Sequence, residues 1–200
     1  MIEVKIVLGY MAVMLGFIAY GFYFKDIFKG RTRPHAFSWL IWALITAEAY
    51  WAQVVKGGGA GAWATGAASI ICFMIGLLAL SKKERKFSVY DWITLTAALV
   101  AILLWFTTND PLSSVIILSV TDLIGSIPTV RKSIAHPEQE TAKAYAMHGI
   151  KFAIAILALQ AYSLTTWLFP ATLGIANVAL AALIVIRRKQ INCAAMTVTL

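Results

Sequence analysis

Acidic side chains are scarce in this chain: nine Asp and Glu in 200 residues, against 17 Lys and Arg. Charged residues of both signs reach only 13%, about half the share of a soluble domain, and they gather between long apolar runs. That excludes a soluble globular fold. Only two cysteines occur, Cys72 inside an apolar run and Cys193 near the C-terminus. Without paired ligand spacing they suggest neither a disulfide framework nor a metal site. HExxH, GxSxG and phosphate-loop patterns are missing, so no enzyme, metal or cofactor is expected. The apolar runs do not alternate with polar residues, which excludes a transmembrane barrel. No stretch is left for a separate soluble domain. The N-terminus does not read as a cleaved signal, because Glu3 precedes a long first run without a small-residue cleavage site.

What is present is hydrophobic: 60% of residues are apolar and the mean hydropathy is +0.80. Seven apolar runs occur, Val4–Phe24, Ala36–Val54, Ala60–Leu80, Val89–Phe106, Leu112–Val130, Ala144–Ala161 and Thr165–Ile186. Each is roughly 18 to 22 residues long, near the ~20 that cross the hydrocarbon core as a helix. Shifting the chain by 106 residues lays the first three runs over the last three, and lays Lys25 on Arg131 and Lys83 on Lys189. The pattern repeats more than the residues do. It predicts an all-α membrane protein of seven transmembrane helices, two parallel three-helix repeats joined by a linker helix (3+1+3). The parts are residues 1–80, a first repeat; 81–107, linker helix 4; 108–190, a second repeat; and 191–200, a cytosolic tail. Helix 4 carries almost no polar residue inside the membrane, as suits a linker.

The net charge of +8 invites a nucleic-acid reading, which its distribution rejects. Lys and Arg number four in Lys25–His35, four in Ser81–Phe87, three in Arg131–Lys143 and three in Arg187–Gln190. The alternate connections hold one, Lys56, or none. This is the positive-inside pattern. It predicts an outside N-terminus and a cytoplasmic C-terminus, with the excess charge facing anionic lipid.

Few residues inside the runs can carry chemistry. Glu48, Asp122 and Lys151 lie deep in apolar spans, where a charge costs about 2.5–3.5 kcal/mol even on the mildest scale. Asp122 lies nine residues before Arg131 and Lys151 seven after Ala144, which places them within roughly 3 Å in depth; Glu48, ten residues after Ser38, lies within a turn of the depth of Lys151. They suit either a salt bridge that docks the two halves or a polar site for solute and protons. His148 shares a stripe with Tyr145 and Lys151; it either hydrogen-bonds as a neutral ring or joins Glu48 and Asp122 as a proton carrier. On helix 5, Ser119, Asp122, Ser126 and Thr129 share one face, and Pro128 offers a hinge. On helix 2, Trp42 and Thr46 share a face, so Trp42 is either an interfacial anchor or a cavity wall. Asn177 lies mid-span in helix 7. A retinal-type lysine is not expected, because helix 7 has no lysine between Thr165 and Ile186.

Two stretches carry a family likeness. Ile127-Pro128-Thr129-Val130-Arg131-Lys132-Ser133, followed by Glu140-Thr141, looks like a proline-ended repeat helix and its basic loop. Arg33-Pro34-His35-Ala36-Phe37-Ser38-Trp39-Leu40-Ile41-Trp42 looks like the start of a second repeat helix. With the layout, these resemble the SWEET and PQ-loop (MtN3-like) transporter superfamily in an uncharacterised bacterial-type member. Thr129 stands where the motif has Gln, and Phe22 stands at the first-repeat equivalent of Pro128. The resemblance implies a bacterial inner (plasma) membrane and an asparagine for sugar at Asn177, whose repeat mate is Ile71. It implies a transporter moving a small polar or zwitterionic metabolite, sugar- or amino-acid-like, by alternating access, with proton linkage open. Trp42, Glu48, Asp122, Lys151 and Asn177 would line its site. The alternative is a membrane receptor or scaffold of the same fold without translocation. The expected partners are a small solute and the bilayer, and the sequence leaves homo-oligomers open.

Overall fold

The computed structural model describes residues 2–32, 34, 36–81, 89–108 and 110–198. Arg33, His35, Asn109 and the basic connection at 82–88 lie outside the described residues. Among the described residues the chain is all-helical. The α-helices are α1 (Ile2–Phe28), α2 (Ala36–Val55), α3 (Trp63–Ser81), α4 (Val89–Thr108), α5 (Pro111–Ala135), α6 (Ala142–Leu157) and α7 (Leu164–Val198). Short 3-10 turns, Gly59–Ala62 and Pro137–Gln139, precede α3 and α6.

The helix ends follow from local chemistry. Glu3 sits in the first turn of α1 and Lys25 in the last, each favourable with the helix dipole. Gly30 stops the helix at φ +68°, a left-handed value that glycine adopts without penalty. Gly57 does the same after α2 at φ +72°. Asp110 caps α5 by accepting from the Leu112 and Ser113 amides, with Pro111 at the first position. At the start of α7, Thr166 Oγ1 accepts from the Ser163 amide at 2.9 Å.

Among the described residues, four helical stretches are long and apolar enough to cross a membrane: Ile2–Phe28, Gly59–Ser81, Pro111–Ala135 and Leu164–Asn192. One side of α1 presents Val4, Val7, Met11, Met14 and Ile18 outward, a stripe at helical spacing that suits lipid. The chain is thus a helical protein with the composition of a membrane protein. The lengths of α6 and α7 depart from the sequence reading in ways that bear on the architecture. α6 stops at Leu157 after 16 residues, about 24 Å, because residues 158–163 turn away to form a connection. α7 runs for 35 residues, carrying the supposed tail on as helix to Val198.

Packing follows a regular scheme. α3 lies against both α1 and α2, and α7 lies against both α5 and α6. Between these triplets α1 meets α6 and α2 meets α5, while α4 packs on α5 and α2. The largest apolar cluster joins Ile41, Ile45, Ala49 and Ala52 of α2 to Ala98 and Ala101 of α4, Val115 and Leu118 of α5, and Phe152, Phe169 and Leu173. In a bilayer such contacts gain from close packing rather than from water release, which is why small residues recur along them.

Candidate functional site

A cavity of about 370 Å³ lies where the two triplets face each other, within the ~300–1,000 Å³ typical of small-molecule sites. Its wall takes Tyr20 and Tyr23 from α1, Trp39, Trp42 and Thr46 from α2, and Cys72 from α3. From the other triplet come Asp122, Ser126 and Thr129 of α5, Tyr145, His148, Lys151 and Phe152 of α6, and Asn177 of α7. Among the described residues, α4 contributes none to it. The cavity runs from mid-span, where Asp122, Lys151 and Asn177 lie, toward the end that carries the basic connections, where Tyr23, Trp39, Thr129 and Tyr145 lie.

Lys151 has the most constrained setting. Its side chain is 1% exposed and lies on Gly16 of α1, where a Cβ would fall 2.9 Å from Lys151 Cδ. Gly16 therefore makes the room for the lysine. The ammonium lies 3.9 Å from the Phe152 ring centre and 5.4 Å from that of Tyr20, an arrangement in which ring faces attract a cation. Tyr20 also packs at a tilt against His148, ring centres 4.4 Å apart, and shares a 3.7 Å hydrogen bond with the Cys72 thiol. His148 is buried and its Nδ1 has no hydrogen-bond partner.

Asp122 lies on the same cavity wall, yet no ion pair joins it to Lys151. Among the described residues, ion pairs form only near the basic end, as with Lys132 and Glu140 at 3.0 Å. The expected docking bridge is therefore replaced by two ionisable groups that share a cavity. Most neutral polar groups around them are already engaged. Thr46 donates to Trp42 O at 2.6 Å, Ser126 to Asp122 O at 2.8 Å and Asn177 Nδ2 to Leu173 O at 2.8 Å. The Tyr145 hydroxyl donates to Glu140 Oε2 at 2.9 Å.

Five of the sequence-predicted site residues thus come together: Trp42, Asp122, His148, Lys151 and Asn177. Glu48 does not join them. It sits two residues past Thr46, about 200° around the helix, and so faces away from the cavity. Both its carboxylate oxygens are buried without a partner, while neighbouring Ser114 donates to Ala101 O at 2.7 Å. Depth along a helix placed Glu48 at the right height and could not give its azimuth. α5 continues as helix on both sides of Pro128, whose side chain lies outside the described residues. Ser119 also leaves the site, donating instead to Val115 O at 2.8 Å.

Sequence reasoning missed Gly16, Tyr20, Tyr23, Trp39 and Phe152. A signal for some existed: the buried residues of α1 are Gly9, Ala12, Gly16, Ala19, Tyr20, Tyr23 and Ile27, one helical stripe of small residues ending in tyrosines. The described residues hold no group of three His, Cys, Asp or Glu side chains placed to share a metal ion.

The two ends of the bundle close differently. At the end bearing the α2–α3 and α6–α7 connections, backbone meets backbone: Gln160 N donates to Gly58 O at 3.1 Å and Ala161 N to Gly57 O at 3.2 Å. Gln53 Nε2 adds a bond to Thr166 O at 2.7 Å, and Lys5 Nζ one to Leu159 O at 2.6 Å. At the basic end the triplets meet through side chains. Thr141 Oγ1 donates to Asp26 Oδ2, and Lys143 lies 4.3 Å over the Phe22 ring. No protein-family model matches this chain, and neither a curated protein nor a solved structure is significantly similar to it.

Proposed function

We propose that this protein is a small-solute transporter of the SWEET and PQ-loop kind, working by alternating access between two parallel three-helix repeats with α4 as linker. One observation carries the reading. A cavity of ligand size lies between the triplets, takes no described residue from the linker, and is closed at one end by backbone pairing and at the other by side-chain contacts. The packing scheme supports it as well. Within each triplet the third helix lies between the other two, and the contacts of α1 with α6 and of α2 with α5 are equivalent under a 106-residue shift. Ligands of transporters commonly bind between such repeats near the midplane. The N-terminus faces outward in an inner (plasma) membrane, so the basic, cavity-bearing end faces the cytoplasm.

Flux decides between this reading and a receptor or scaffold of the same fold. Protein reconstituted into liposomes should pass labelled solute faster than empty liposomes, and Asp122→Asn should abolish the difference. Ligand binding without flux, across sugars and amino acids, would turn the assignment to a receptor.

A further inference from the structure

The cavity's chemistry narrows its ligand. Resting on the reading that this cavity is the solute site, we infer that it takes a zwitterion with a large apolar, preferably aromatic, body: an amino-acid-like molecule rather than a sugar. A sugar needs many hydrogen-bond partners, because each buried hydroxyl left unpaired is costly. Here Thr46, Ser126, Asn177 and Tyr145 already donate elsewhere, and Tyr20 is engaged with Cys72. Their oxygens can still accept, but among the wall's hydroxyl donors only those of Thr129 and of Tyr23, which itself accepts from Trp39, remain, too few for a polyol.

What remains uncommitted is chiefly ionic. The Asp122 carboxylate faces the cavity without a counter-ion, and so does the Lys151 ammonium. An anionic ligand is repelled by the first and a cationic ligand by the second. A zwitterion satisfies both, its ammonium on Asp122 and its carboxylate on Lys151, with the unpartnered His148 Nδ1 beside them. Inserting it bridges two charges that do not touch each other. The rest of the wall is aromatic: Trp39 packs edge-on against Trp42 at 5.2 Å and lies 5.0 Å from Tyr23. Such rings favour offset or edge contacts with a further ring.

Truncated ligands test the assignment without altering the protein. Thermal unfolding of the purified protein is followed against L-phenylalanine, phenethylamine (no carboxylate), 3-phenylpropanoate (no amine) and D-glucose. The expected result is saturable stabilisation by phenylalanine, at least tenfold weaker apparent affinity for either truncated ligand, and none for glucose. Lys151→Met should then remove the preference for phenylalanine over phenethylamine, and Asp122→Asn the preference over 3-phenylpropanoate. If either variant fails to fold, the four-ligand comparison on the unaltered protein decides alone. Equal affinity for the truncated ligands, binding of glucose in place of phenylalanine, or no binding by phenylalanine would overturn the assignment. Flux in liposomes separates the two claims. Phenylalanine binding with this pattern but no flux keeps the ligand class and removes transport, whereas glucose flux without phenylalanine binding does the reverse.

Discussion

The two ends of this bundle hold the same pair of helical triplets together with different materials. Opposite the basic connections, backbone amides and carbonyls of the two triplets bond directly, and glycines admit the approach. At the basic end, the contacts among the described residues include a hydroxyl–carboxylate bond and a lysine over a ring, next to the cavity. Backbone pairs of this kind bring main chains together and leave few ways to give locally. Side-chain contacts break one at a time as rotamers change. The difference teaches which end is built to yield: the end that carries the charge also carries the loose contacts and the cavity.

The sharpest way to break the contrast is to spoil the tight end. A Cβ on Gly61 would lie 2.6 Å from Ala155 O and 2.7 Å from Leu159 Cα, both backbone atoms that cannot rotate aside. Gly61→Ala should therefore lower stability by about 3 kcal/mol, the upper range for overpacking, read as a fall in thermal midpoint. Gly21, which meets nothing within 4 Å of a built Cβ, is the control, and Gly21→Ala should leave the midpoint unchanged or higher. Equal effects at the two glycines would remove the claim that the closed end is specially tight.

Loosening the other end should act on access more than on folding. Thr141→Val removes the bond to Asp26, and hydrogen bonds to charged groups contribute about 1.5–3 kcal/mol. Part of that should appear as opening, and each 1.4 kcal/mol is about tenfold in an equilibrium. Cys72 on the cavity wall is a natural reporter. In a Cys193→Ser background, Thr141→Val should speed alkylation of Cys72 by a small thiol reagent about tenfold. An unchanged rate would mean that this contact does not hold the basic end shut.

These contrasts also mark what the sequence could convey. Helix number, the apolar runs and the polar stripes of α5 and α6 were legible, because helical spacing alone puts Asp122, Ser126 and Thr129, or Tyr145, His148 and Lys151, on one face. The choice of face was not legible for Glu48. Its depth matched that of Lys151, yet rotation about α2 turns it off the cavity wall and toward Ser114 of α5. Nor could the sequence tell a bridge from two charges around a space, since that depends on Gly16 letting Lys151 lie against α1. The early end of α6 was hidden because residues 158–161 are as apolar as helix, and only pairing of Gln160 and Ala161 with Gly57 and Gly58 pulls them out.

Glu48 sharpens the comparison from within the packed region. Its carboxylate oxygens lack partners and its side chain is off the cavity wall. A neutral amide of the same shape removes no contact that holds the fold. Glu48→Gln should change stability by less than about 1 kcal/mol, in either direction, where losing a partner from a true buried ion pair costs about 3–5 kcal/mol. A loss of the larger size in thermal or chemical unfolding would reveal a hidden partner for this carboxylate.

The same reasoning sets the coupling between Asp122 and Lys151. Groups in direct contact show interaction energies of about 0.5–3 kcal/mol in double-mutant cycles, and independent groups add within about 0.5 kcal/mol. With no ion pair between them, Asp122→Asn and Lys151→Met should be nearly additive for the empty protein. Coupling should emerge once phenylalanine bridges the two. A strong coupling without ligand would restore the docking bridge and take the space from the proposed site.

The smallest effect lies in the α4–α5 connection, where Asp110 caps α5 in solvent. Its carboxyl is held below the usual aspartate value, first by the Leu112 amide and then by the Ser113 hydroxyl. The sign follows from that direction. A depressed folded value means the charged form is favoured by the fold, so the cap contributes fully above the ordinary aspartate value of about 3.9 and is lost as pH falls through the lower, folded value. Hydrogen exchange at the Leu112 and Ser113 amides should therefore stay protected at neutral pH and lose protection only in strong acid, while the cavity-lining part of α5 is unaffected. Asp110→Ala should remove that protection at every pH. Because the group is exposed and screened by salt, the global midpoint should scarcely move. A large shift in it would show that this connection bears on the tight end more than its solvent exposure implies.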